Sequence, residues 1–124
     1  MTQYFPYDFD HRFAALWRPF LVRTRRDGVT LTDDDRFVAS FGRLSVSTPL
    51  DNVRGAHVTG PYRWWTAVGA RLSLADDGLT FATSSRRGVC VHFDTKVRRV
   101  LGWRDHSALT VTVADPEALV AALE

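Results

Sequence analysis

From residue 29 onward the chain alternates apolar and polar side chains with a period of two, interrupted every few residues by turn formers. That period puts one set of side chains on each face of a strand, so it specifies half-buried β-strands rather than packed helices. Val29 and Leu31 alternate with Thr30 and Thr32, and Phe37, Ala39 and Phe41 alternate with Val38 and Ser40. Gly42 supplies a tight turn into Leu44, Val46 and Thr48, and Pro49 ends that strand because it has no N–H for a ladder. In the next candidate, Ala56 and Val58 lie on one face and His57 on the other. Leu72 and Leu74 run into Asp76-Asp77-Gly78, and Leu79, Phe81 and Thr83 leave that turn as a hairpin. Arg87-Gly88 turns the chain into Val89, Val91 and Phe93, with Cys90 and His92 on the opposite face. Leu109, Val111 and Val113 alternate with Thr110 and Thr112. Eight short strands without a βαβ rhythm predict an α+β, mostly β domain. Its bent antiparallel sheet curls over residues 29–113 as a partly open barrel or a sandwich.

Two segments leave that period. Asp115 reads as an N-cap, Pro116 as the first helical residue and Glu117 as an acid at the positive end of the dipole. They predict a C-terminal helix over 115–123 that docks Leu119, Val120 and Leu123 on the sheet, since so short a helix is marginal alone. Residues 1–28 read as an N-terminal extension. There Asp10 caps a short helix carrying Phe13, Leu16, Trp17 and Phe20, while Pro19 opposes it. Residues 94–106 read as a long connection.

The 124 residues, 45% hydrophobic and 24% charged, fit one soluble domain and exclude a collagen, a disordered tail and a disulfide scaffold. The single cysteine, Cys90, has no intramolecular partner, which fits a reducing cytoplasm. Residues 1–13 carry Asp8 and Asp10 and lack the basic-then-apolar order of a signal peptide. No apolar stretch approaches the ~20 residues of a spanning helix. A cytoplasmic protein without a transmembrane segment is therefore expected. The net charge is +2, and 15 of the 16 basic residues are Arg. The excess is local: residues 53–75 hold Arg54, Arg63 and Arg71 with no acid. No continuous basic run suits nucleic acid, which is not an expected partner.

The succession Leu31-Thr32-Asp33-Asp34, Arg36-Phe37-Val38, Gly42, Thr48-Pro49-Leu50-Asp51-Asn52-Val53 and Asp115-Pro116-Glu117-Ala118-Leu119 resembles the small bacterial pleckstrin-homology-like domains. The stretches Thr59 to Trp65 and Arg86 to Val91 look like those of uncharacterised small bacterial proteins. The resemblance covers roughly residues 29 to 124. It implies a strongly bent antiparallel sheet plugged by a C-terminal helix, on which phosphoinositide-binding and peptide-binding functions both occur. The loop between the first strands is Asp33-Asp34-Asp35 rather than Lys-rich, and it repels phosphate.

Three sets of residues are candidates for a site. Tyr62, Arg63, Trp64 and Trp65, with Arg71, make an aromatic, basic connection over 60–71. It suits a protein partner or a second copy, an anionic membrane surface, or the capping of an open barrel end. Arg54, Arg63, Arg71, Arg86 and Arg87 offer forked donors to a phosphate or carboxylate, or else ordinary surface pairs with Asp76, Asp77 and Asp94. His57, Cys90 and His92 are weaker pocket candidates. In sequence spacing His11, His57, His92, His106 and Cys90 form no ligand cluster, so no metal and no cofactor are expected. No catalytic motif occurs. The expectation is a non-enzymatic binding module that recruits an unknown protein partner or a homo-oligomer through its barrel edge and aromatic loop. Peripheral attachment to anionic lipid through Trp64, Trp65 and Arg63 is the alternative. A small-ligand barrel or enzyme around Cys90 and His92 is the third.

Overall fold

The computed structural model describes residues 2–24, 26–60, 69–72, 77–98, 100 and 105–124. The described strands form two sheets. β1 (Gln3–Pro6), β2 (Gly28–Leu31), β3 (Arg36–Phe41) and β4 (Leu44–Pro49) pair in sequence order. β5 (Val53–Thr59), β6 (Gly69–Leu72), β7 (Leu79–Ala82), β8 (Gly88–Val97) and β9 (His106–Val111) pair in the order β5-β8-β9-β7-β6. The sheets are not closed into a barrel. The alternating apolar residues meet between them: Phe41 of β3 stacks on Phe81 of β7 at 5.2 Å and 10°, and Phe37 meets Phe93 edge-on at 6.1 Å. Val29, Val89, Val91, Leu109 and Val111 complete this fully buried layer.

The C-terminal helix α2 (Pro116–Leu123) forms as its sequence predicts. Asp115 Oδ1 accepts from the Ala118 N–H at 3.2 Å, and Leu119 is fully buried. Near the N-terminus, Asp10 caps a 3-10 turn (His11–Phe13) leading into α1 (Ala14–Trp17) and a second 3-10 turn (Arg18–Phe20). Pro19 is tolerated because it sits at the start of that last turn, where its missing N–H has no intrahelical partner. Gly42 has φ +63°, and a Cβ there would lie 1.8 Å from the Phe20 carbonyl oxygen, so the β3–β4 turn admits only glycine.

The structure departs from the sequence expectations in three places. The N-terminal extension supplies a strand as well as the short helix expected there. β1 adds to β2, Tyr7 bridges Val113, and the Tyr7 hydroxyl donates to the Ser40 carbonyl at 2.7 Å. β7 and β9 run parallel rather than antiparallel. The chain reverses once into β8 and again into β9, so strands two apart in sequence that become neighbours share a direction. Asp94 to Val97, read as connection, extend β8, and three exposed residues in a row conceal the alternation there.

Candidate metal centre

β5 is an edge strand of the second sheet and pairs antiparallel with β8. Its register sets Ala56 opposite Val91 on the inner face, so Val89, Val91 and Phe93 are buried in the core. The pleat then sends the intervening residues outward. His57 stands directly opposite Cys90, and His92, two residues further along β8, lies on the same outer face. Gly55 stands opposite His92, and the ladder shifts register between Val53 and Gly55. A Cβ built on Gly55 would meet nothing within 4 Å. His92 therefore has no facing side chain.

Cys90 Sγ lies 3.6 Å from His92 Nε2. The His57 and His92 rings stack with centroids 5.3 Å apart and 16° between planes. One ligand atom from each of His57, Cys90 and His92 lies within 4.8 Å of the other two. A tetrahedral ion with bonds of about 2.3 Å to sulfur and about 2.0–2.1 Å to nitrogen requires a sulfur-to-nitrogen separation of about 3.6 Å. Cys90 and His92 already stand at that separation, and a ring nitrogen of His57 lies within 4.8 Å of both ligand atoms. His57 is exposed, whereas Cys90 and His92 are half-buried.

Spacing along the chain gave no cluster, but the register of β5 against β8 gathers three of the five candidate ligands. The shared face of Cys90 and His92 is legible in the sequence; the partner of Cys90 across the ladder is not. The other two histidines serve elsewhere. His106 is fully buried: its Nε2 accepts from the Val100 N–H at 3.2 Å and its Nδ1 donates to the Asp77 carbonyl at 2.8 Å. His11 meets the Trp17 ring edge-on.

The remaining candidates fare differently. Tyr62, Arg63, Trp64 and Trp65 lie outside the described residues. Arg71 sits half-buried on β6, at the opposite edge of the same sheet, and Arg54 is exposed on β5. Arg86 forks onto Asp8 with two bonds of 2.8 Å and reaches Asp10 at 3.4 Å. That guanidinium holds the Asp8 carboxyl below its ordinary range. Arg87 pairs with Glu117 at 2.5 Å. Both arginines are thus engaged by acids of the terminal segments rather than by Asp94, and they do not converge as an anion receptor. Asp77 is taken up by Lys96 at 2.8 Å and by Ser107, which together hold its carboxyl well below the usual range.

Among the described residues, no helix is long and apolar enough to cross a membrane. No family model, curated protein or solved structure matches the chain.

Proposed function

We propose that this chain binds a transition-metal ion of the zinc class through the imidazoles of His57 and His92 and the thiolate of Cys90. One observation carries the reading: three ligand atoms of suitable chemistry lie within 4.8 Å of one another on two hydrogen-bonded strands. A thiolate with two imidazoles favours Zn(II), Cu(I) or Co(II) and disfavours Mg(II) and Ca(II), which take oxygen ligands. The two-sheet framework with a C-terminal helix supports a pleckstrin-homology-like reading of the scaffold, and such a scaffold hosts unrelated sites.

Titration of the chelator-treated chain with Co(II) tests the proposal. The expected result is one ion per chain, a thiolate-to-cobalt charge-transfer band, and its loss on adding Zn(II). Binding displaces the Cys90 proton, so affinity falls as pH falls. Losing an outer partner of a metal ligand already costs about 10–100-fold, so Cys90→Ser and His92→Ala are each expected to weaken binding by at least about 100-fold. No stoichiometric band, or equal binding by both variants, would overturn the reading.

A separate observation favours a second reading, self-association through sheet edges. Three exposed large hydrophobic side chains, Tyr4, Val58 and Leu72, lie on β1, β5 and β6, each an edge strand. Edge strands present unpaired backbone groups to another chain, and β5 is the longest of these three. Light scattering across a concentration series is expected to show a dimer that Val58→Lys dissociates. A monomer at every concentration would end this reading.

A further inference from the structure

We infer that the ion at His57, Cys90 and His92 is passed directly to a thiolate-bearing acceptor, which enters through the notch at Gly55. The inference rests on the metal-binding reading above. Zinc-class ions take four ligands, and structural sites supply all four from the protein. Here no fourth His, Cys, Asp or Glu joins the three among the described residues. Of the residues outside the description, only Asp76 carries such a group. A three-donor centre leaves one coordination position for a molecule from outside.

The local structure sets the direction of approach. All three donors sit on β5 and β8, and β5 is the sheet's edge. Gly55 shares their face, stands opposite His92 and leaves open space where any other residue would place a side chain. An incoming donor there bonds to the ion before any bond to the chain breaks. A thiolate acceptor suits the ion because Cys90 already supplies a soft donor. Each bond made to the acceptor then replaces one to the chain. The proton released by the first acceptor thiol balances the one regained by Cys90, a second acceptor thiol releases its proton to water, and no electron moves.

Stopped-flow transfer of Co(II) from the loaded chain to a thiol reads this directly, with glutathione in one arm and a Cys-X-X-Cys peptide in another. Transfer is expected to rise linearly with acceptor concentration in at least one arm. Acceleration by glutathione identifies a small thiol as sufficient; acceleration by the peptide alone identifies a protein acceptor. Gly55→Val fills the notch with a strand-favouring side chain, and Gly55→Ala fills part of it. Gly55→Val is expected to slow transfer roughly tenfold, about 1.4 kcal/mol in barrier, with Gly55→Ala intermediate and equilibrium affinity little changed. Transfer independent of acceptor concentration in both arms, or unchanged in Gly55→Val, overturns the inference while leaving ion binding intact. Failure to bind Co(II) at all removes the underlying reading instead.

Discussion

Replacing Asp27 with alanine is expected to lower stability by about 3 kcal/mol, because it strips a fully buried acceptor from the donors that surround it. Asp27 is fully buried at the entry to β2, where it ties three segments together. Its side chain accepts from the Arg23 N–H at 2.5 Å, the Gly42 N–H at 3.0 Å and the Ser40 hydroxyl at 3.0 Å, and it pairs with the Arg23 guanidinium at 3.6 Å. Alanine leaves the half-buried Gly42 N–H and Ser40 hydroxyl without this acceptor, and each such group costs up to about 1–3 kcal/mol. For a domain of this size the loss is expected to lower Tm by about 10–20 °C. Asn keeps one acceptor oxygen, so Asp27→Asn is expected to fall between parent and alanine. Urea denaturation measures both. A loss below about 1 kcal/mol for Asp27→Ala would show that the node does not hold the turn.

Phe81→Ala is expected to cost a similar amount by a different route, about 3–5 kcal/mol for a fully buried aromatic truncated to a methyl group. Phe81 is 0% exposed, stacks on Phe41 and lies at the meeting plane of the two sheets. Truncation empties space that both sheets would have to move to refill. Phe81→Leu keeps most of the volume and is expected to cost about 1.5 kcal/mol or less. If the two variants lose equal stability, the ring stack rather than the filled volume governs the contact between sheets. Equilibrium denaturation of the pair separates the two effects.

The sequence expectations held where one residue's chemistry decides the local structure. Asp115 and Pro116 open α2, Gly42 makes the turn before β4, and alternation along Arg36–Phe41 puts Phe37, Ala39 and Phe41 inside. They failed where a partner distant in sequence decides it. β1 is four residues ending in proline, too short to show a period, and it exists because β2 is beside it. Arg86 finds its acids 78 and 76 residues away, at Asp8 and Asp10, which no local charge count locates. The metal centre divides along the same line. The common face of Cys90 and His92 follows from a two-residue spacing, whereas His57 joins them only through the β5–β8 register. The lone Gly55 carried no alternation signal, yet it shapes the ground beside His92.

The bond between residues 6–8 and residues 112–114 has a consequence for how the molecule is made. Tyr7 bridges Val113, the Asp8 N–H donates to the Thr112 carbonyl at 2.8 Å, and the Ala114 N–H donates to the Pro6 carbonyl at 2.8 Å. During synthesis, β1 to β4 emerge before β5 to β9 and pair among themselves. Phe37 and one face of Phe41 find their cover on β8 and β7, and the closing latch comes from residues translated later still. A nascent chain on the ribosome therefore carries a half-built sheet with its greasy side open to water. Such contacts between distant residues form slowly, so this interval is when the chain is most exposed to aggregation and most dependent on a chaperone.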